Sequence, residues 1–530
     1  MSTRSPTLIT ALLAPGCYPH PAEGIELIET HISWVLLAGG FAYKLKKPVD
    51  LGFLDFSSLD ARRVACEEEV RLNRRLAPQL YLGVVPITGT PESPCVGGDG
   101  PVLEYAVAMR RFDRENELAH LARRDRIAPR HIDGLARMLA RFHASAAVVP
   151  IDSQFGTSDA MLAHCLENFR QVAASVRAPE EATTVDPARL AGLETWTLAE
   201  HARLAPLIES RRSRGCVREC HGDLHLANLV LIDDAVVAFD GIEFSAALRW
   251  TDVAADVAFT VMDLRRFGLD ALARRLLDAW LEITGDFEAI VLMPFLLVYR
   301  AMVRAKVASL RAAQAVDPAQ RRACRDEADE CIALAERCRN TTGPVLLVTC
   351  GVSGSGKSRL ASRLLEAGDW VRIRSDVERK RLRGLEPAQR STDTHGDGLY
   401  SSARTQATYA RLARLASELL AAGVPVIIDA ACLLRSQRAT LRAVAAARRV
   451  PFGILVVHAP RDLLERRIRE RASDGSDPSE ATVEVLATQL GAMEPLSEPE
   501  RVCAVTVDTS VPLDIGALAA GIAARVAIPD

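Results

Sequence analysis

His221-Gly222-Asp223-Leu224-His225-Leu226-Ala227-Asn228 is the stretch on which the reading of this chain turns. The apolar runs 229–232 and 236–239 that follow it flank Asp233-Asp234, a turn signal, and predict a hairpin. That hairpin returns the chain so that Asp240 falls in with Asp223 and Asn228. Two carboxylates and an amide brought together suit a hard cation such as Mg²⁺, which takes oxygen ligands. Phosphoryl transfer needs the same parts: a carboxylate to orient the attacking hydroxyl, with metal ligands beside it.

Upstream of the loop the chain reads as strand and then as helix. Residues 25–30, 33–37 and 41–46 are β-branched or aromatic runs, the last two joined by Ala38-Gly39-Gly40, a hairpin signal. A helix is predicted over 61–76, strands over 81–87 and 102–109, and mainly helix from about 113, including 132–147, to Arg339. The chain writes only six lysines against 59 arginines: Lys44, Lys46, Lys47, Lys306, Lys357 and Lys380. Lysine in such a chain marks places where a compact ammonium serves, as on a phosphate. Lys44 and Lys46 share one strand face, so register leaves both open for that role.

The spacing H-x-D-x₄-N is that of a kinase catalytic loop, and residues 1 to about 335 resemble the aminoglycoside phosphotransferase family of the protein-kinase-like fold. The resemblance implies an N-terminal lobe over 1–110 and a helical lobe over 111–338. It implies Asp223 as base, Asn228 and Asp240 as Mg²⁺ ligands, and Lys44 on the ATP phosphates. The lysine's partner would be a helix glutamate, Glu69 first and Glu67 second. It also implies that His225 orients the loop and that Asp252 and Asp256 are structural. One departure is the absence of a glycine-rich loop before Lys44, where Thr30-His31-Ile32-Ser33 stands instead. His31 and His143 are expected as turn or packing residues. Arg300, Arg304, Lys306 and Arg311 are expected on a solvated or inter-domain helix face.

Asn340-Thr341-Thr342-Gly343-Pro344 breaks the pattern and sets a domain boundary, after which 343–530 alternates strand and helix. Strands are predicted over 345–349, 370–374, 424–428, 452–458 and 502–507. Gly351-Val352-Ser353-Gly354-Ser355-Gly356-Lys357-Ser358 lies between the first strand and a helix over 359–366, the context a P-loop requires. Its backbone N–H groups make an anion nest, Lys357 reaches the β/γ-phosphates and Ser358 ligates Mg²⁺. Asp376, at the end of the second strand, is placed for an acceptor, and Asp429, after the third, for Mg²⁺ or its water shell. Arg467 and Arg471 share a helix face, either solvated or turned to the nucleotide, before a polar stretch, 472–480, that reads as a lid. This half is similar to small-metabolite, zeta-toxin-like and gluconate-kinase-like P-loop kinases, within the AAA-type ATP-binding domains. That likeness implies that Asp376 binds the acceptor hydroxyl and that Arg467 and Arg471 contact ATP.

The fold class expected is therefore α/β multidomain: a protein-kinase-like half followed by a parallel αβα P-loop half. A net charge of −3 excludes a general attraction to nucleic acid, and no apolar run reaches the ~20 residues of a membrane span. Twelve scattered cysteines, with Cys324, Cys331 and Cys338 on one helical face, suit buried thiols in a reducing cytoplasm. Cys216, Cys220 and His221 lack the second ligand pair of a metal site. The expectation is an ATP- and Mg²⁺-dependent kinase with two nucleotide sites acting on small-molecule hydroxyls. Its alternative has one half as a nucleotide-binding switch controlling a single kinase. No acidic run suits polycationic antibiotics, and nothing signals an oligomeric state.

Overall fold

The computed structural model describes residues 6–50, 54–176, 186–340, 343–389, 401–474, 478–526 and 528, without the side chains of 176 and 472–474. The chain divides into two compact units, Met1–Gly268 with Leu296–Ala335 and Leu269–Phe295 with Glu336–Asp530.

The first unit opens on a sheet of six antiparallel strands in the order β1-β2-β3-β6-β4-β5. They are β1 Glu26–Glu29, β2 Ser33–Ala38, β3 Phe41–Lys46, β4 Tyr81–Thr90, β5 Ser93–Val96 and β6 Val102–Arg110. Gly39 turns β2 into β3 at φ 58°, where a Cβ would lie 2.6 Å from the Pro21 carbonyl oxygen, so only glycine fits. Alternation along β3 sends Tyr43 and Leu45 into a core with Leu36, Ile87 and Ala106. Lys44 and Lys46 consequently face the other way, toward the helix Leu59–Asn73. That helix starts at Ser58, whose Oγ accepts the Ala61 N–H at 3.1 Å, and packs Cys66 and Val70 with Tyr81 and Val107.

Helices Pro129–Ser145, Ser158–Val176, Pro187–Ser213 and Val253–Arg266 follow, with two short antiparallel ladders between them. One pairs β7 (Val217–Glu219) with β10 (Trp250–Asp252), the other β8 (Leu229–Ile232) with β9 (Ala235–Ala238). Asp233 and Asp234, at φ 48° and 61°, make the predicted turn of β8–β9, a conformation that aspartate tolerates better than most residues. Cys324, Cys331 and Cys338 are buried along the helix Pro318–Cys338, as their spacing implies.

The second unit is built on a parallel sheet in the order β12-β13-β11-β14-β15. Its strands are β11 Leu346–Cys350, β12 Val371–Arg374, β13 Val426–Asp429, β14 Phe452–His458 and β15 Ala504–Asp508. Leu347, Ile427, Leu455 and Val507 bury one face beneath Leu360 and Leu364 of the helix Lys357–Ala367. The last strand begins two residues later than its apolar pattern predicts. Ser497 and Glu500 cap a short helix, Glu498–Val502, that leaves Val502 exposed.

This unit also includes 269–295, a segment whose sequence reads as part of the helical lobe. Charge holds it there. On the helix Asp270–Thr284, Asp278 accepts from Arg372 at 2.5 Å and Glu282 accepts from Arg374 at 2.8 Å. Arg381 donates to the Glu282 carbonyl at 2.6 Å. Among the described residues, no helix is long and apolar enough to cross a membrane.

Candidate functional sites

The loop 221–228 is tied down by one face of the helix Val253–Arg266. Asp252 caps that helix through the Ala254 N–H at 2.8 Å and is gripped by Arg211 at 2.8 and 2.9 Å. Asp256 accepts the N–H groups of His221 and Gly222 at 3.1 and 2.9 Å. Thr260 donates to the Leu224 carbonyl at 2.7 Å, and Asp263 accepts the Leu226 N–H at 2.8 Å. Spacings of four and three keep these side chains on one face. Gly222 bends the loop at φ 84°, with Leu248 O and Arg249 Cα too close to admit a larger residue comfortably.

Arg300 corrects the expectation of a solvated arginine face. It is 3% exposed and donates to the carbonyls of Gly222 and Ala255 at 3.1 and 3.0 Å, bracing the same loop. Arg304 and Arg311 bond Glu327 rather than standing free in solvent.

Asp223 is positioned from two sides. Asn228 Nδ2 donates to its Oδ2 at 3.0 Å and to its carbonyl at 2.9 Å. His225 accepts the Ala227 N–H on Nδ1 at 3.2 Å, which leaves Nε2 as the protonated nitrogen, 3.4 Å from Asp223 Oδ2. Burial pushes the Asp223 carboxyl up, but His225 and then Arg304 outweigh it and hold the group well below the usual carboxylate range.

Lys44 donates to Glu69 Oε1 at 2.9 Å and to Asp240 Oδ1 at 2.5 Å, so β3, a helix and the post-hairpin aspartate meet at one ammonium. Lys46 lies deeper, bonded to Glu69 and Glu243. Glu67 points out to Arg63 at 2.7 Å. Glu69 is fully buried, yet Lys44 and Lys46 together overcome the burial and hold its carboxyl below its ordinary value. Asp240 sits at φ 61°, held by its N–H on the Tyr81 hydroxyl at 3.1 Å. The next N–H, of Gly241, reaches Asn73 Oδ1 at 2.8 Å, while Asn73 Nδ2 donates to the Glu69 carbonyl at 2.9 Å.

Sequence reading misses Asn73, Tyr81, Glu243, Thr260 and Asp263; the spacings of Asn73 four residues after Glu69, and of Thr260 and Asp263 four and seven after Asp256, are signals that could have found three of them. Asp223, Asn228 and Asp240 present only oxygen to a cation, and with Nδ2 committed Asn228 has Oδ1 left to give, a donor set that fits Mg²⁺. Thr30 and Ser33 close the β1–β2 turn on each other at 2.9 to 3.1 Å.

In the second unit the P-loop glycines are demanded by backbone contacts. A Cβ on Gly351 would lie 2.3 Å from Val457 O, and one on Gly354, at φ 78°, would lie 2.6 Å from Leu464 O. Gly356, at φ 91°, immediately precedes the helix Lys357–Ala367. Ser353 N–H donates to Gln489 at 2.7 Å, while Ser355 is buried under the loop. A cleft of about 1090 Å³ is lined by Gly354, Lys357, Ser358, Asp376, Asp429, Arg467 and Arg471 together with neighbouring residues. Burial pushes the Lys357 ammonium down, and its Nζ donates to Val352 O at 2.8 Å.

Asp376 falls in the first turn of the helix Ser375–Arg381 rather than at the strand end. Asp429 ends β13, with Arg374 as its register partner on β12. Asp429 Oδ2 is buried without a hydrogen bond and is ion-paired with Arg374 Nε at 3.5 Å. Arg467 clamps Gly354 O at 3.2 Å and the Thr509 hydroxyl and carbonyl at 2.8 Å each, and Arg471 donates to Ala481 O at 3.1 Å. Of the expected lid, 475–477 lie outside the described residues.

Residues 346–496 match the model of a family described as an AAA domain. An uncharacterized protein of Mycobacterium tuberculosis is 32% identical over 475 residues, covering 89% of this chain and 91% of its own. Among solved structures, a gluconokinase from Sinorhizobium meliloti is 24% identical, covering 35% of this chain and 94% of that one, with a TM-score of 0.25. A choline kinase from Cryptosporidium parvum is 11% identical, covering 62% of this chain and 96% of that one, with a TM-score of 0.40.

Proposed function

The chain belongs to the family of the Mycobacterium tuberculosis protein it matches along most of both lengths, and we propose that it is an ATP-dependent phosphotransferase with two nucleotide sites acting on small-molecule hydroxyls. The observation that carries this is the convergence of Lys44, Glu69 and Asp240 in the unit whose loop pairs Asp223 with Asn228. In this reading Lys44 holds the α/β-phosphates, and Glu69 fixes its ammonium. Asp223, kept anionic and aimed by Asn228 and His225, accepts the proton of the attacking hydroxyl. Asn228 and Asp240 would hold Mg²⁺, which when bound neutralises charge developing on the phosphate oxygens.

In the second unit the N–H groups of Gly354, Gly356, Lys357 and Ser358 and the Lys357 ammonium cradle the phosphates, with Arg467 and Arg471 beside them. Ser358 and Asp429 would hold its Mg²⁺, and Asp376 receives the acceptor hydroxyl.

The test follows ADP formation against a panel of hydroxy compounds in the unaltered protein, Asp223→Ala and Lys357→Ala. Each substitution is expected to remove a different acceptor-dependent activity by ~10²–10⁴-fold. If Asp223→Ala leaves every activity intact, the first unit binds nucleotide without catalysing, and the switch reading replaces this one.

A further inference from the structure

The helix Val483–Ala492 runs beside the P-loop, and its residues divide by face. Leu486 and Val483 pack with Val352 of the P-loop and with Leu433, Leu464 and Ile468. Val485, Thr488, Gln489 and Ala492, spaced to share the neighbouring face, line the P-loop cleft. Just beyond the helix, the Glu494 N–H reaches Leu433 O at 3.1 Å, which ties the segment to the same apolar cluster.

Gln489 lies one turn beyond Leu486, and that turn carries it from Val352 to the next residue of the loop. Its Oε1 accepts the Ser353 N–H at 2.7 Å. The carbonyl of the same peptide, Val352 O, accepts Lys357 Nζ at 2.8 Å. A single peptide group thus carries the P-loop ammonium on its oxygen and Gln489 on its nitrogen. Because only the oxygen of a carboxamide accepts an N–H, this bond fixes which end of Gln489 is which. Nε2 is left with no partner among the described residues, on a partly buried side chain that lines the cleft. The result is a neutral donor held in place beside the backbone N–H groups of the loop.

We propose that Gln489 is a phosphate-binding residue of the second unit, its Nε2 donating to the terminal phosphoryl group of a nucleoside triphosphate. This rests on reading the second unit as a nucleotide site. A P-loop lysine reaches the β/γ end of a triphosphate, while the N–H groups at the helix start take the inner phosphates. Gln489 is held at the peptide on which the Lys357 ammonium lies, away from the helix start at Lys357 and Ser358. Its amide accordingly favours a triphosphate over a diphosphate, because only the former brings an oxygen to that end of the site.

The experiment uses the full-length protein and calorimetry with two ligands, Mg²⁺–ADP and the Mg²⁺ complex of the β,γ-imido analogue of ATP. The component of binding that Lys357→Ala abolishes belongs to the second unit. Gln489→Met keeps the length of the side chain without charge or hydrogen bonds. Gln489→Glu keeps an oxygen for the Ser353 N–H and removes the donor. Each is expected to weaken the triphosphate analogue about tenfold or more, and Gln489→Met to weaken ADP by less than about threefold.

A role confined to holding Ser353 gives a different pattern. Gln489→Glu, which still accepts that N–H, then binds both ligands as the unaltered protein does, and Gln489→Met weakens both alike. Full retention in Gln489→Glu, equal losses in Gln489→Met, or no loss in Gln489→Met each overturns the proposal and leaves the nucleotide site standing. If Lys357→Ala abolishes no component of binding, the nucleotide reading of this unit fails and the proposal falls with it.

Discussion

Two lysines meet three carboxylates in the first unit, two of them buried and the third, Asp240, half-exposed, and the imbalance sets which substitution hurts more. Lys44 and Lys46 face Glu69, Asp240 and Glu243; Lys46 and Glu69 are fully buried and the Glu243 side chain is 4% exposed. Lys46→Met keeps the volume but leaves three carboxylates to one ammonium. Removing one partner of a buried ion pair costs about 3–5 kcal/mol, and that is the expected loss. Glu69→Gln leaves two carboxylates to two ammoniums and keeps hydrogen-bonding atoms in place, so about 1–2 kcal/mol is expected.

Burial already raises the Glu243 carboxyl. Lys46→Met therefore drives Glu243 to take up a proton on folding, and its penalty grows as pH rises above the ordinary glutamate value. Hydrogen exchange read on peptides covering 33–46 reports this unit without the other. Equal or reversed costs, or a pH-independent penalty in Lys46→Met, would refute the charge count.

Three further outcomes follow from single contacts. Asp256, buried and held at about 2 by the His143 bond and neighbouring cations against the effect of burial, adds stability above its unfolded value of ~3.9, lost as pH falls through about 2. Asp256→Asn should accordingly flatten the acid limb of the unfolding curve, by up to about 2–3 kcal/mol, while a curve parallel to the unaltered protein's contradicts the assignment. Because burial pushes Lys357 down, nucleotide affinity of the second unit should weaken on the alkaline side before the ordinary lysine range. Titration in a Lys44→Ala background checks it. Gly354→Ala, facing a 2.6 Å approach to Leu464 O, should abolish nucleotide binding to that unit, measured by calorimetry, with the first unit's turnover preserved.

The loops of both candidate sites were legible in the chain because they are written in short, local spacings. The run His221 to Asn228, the turn at Asp233-Asp234 and the glycines of the P-loop each impose backbone geometry over fewer than twenty residues, and the structure keeps all of them. Period-two alternation likewise placed Lys44 and Lys46 on one face of β3, but could not say how they divide their partners.

That division depended on residues far apart in sequence: Asp240 arriving at Lys44, and Glu243 at Lys46. The arginines of 300–311 were misread for the same reason. A charged helix face looks solvated until Gly222, Ala255 and Glu327, distant in sequence, come to meet it. The transfer of 269–295 to the second unit rests on Arg372, Arg374 and Arg381, ninety or so residues downstream, pairing with Asp278 and with the side chain and carbonyl of Glu282. Local sequence thus marked the candidate groups. Long-range ion pairs, invisible to periodicity, decided which of them meet.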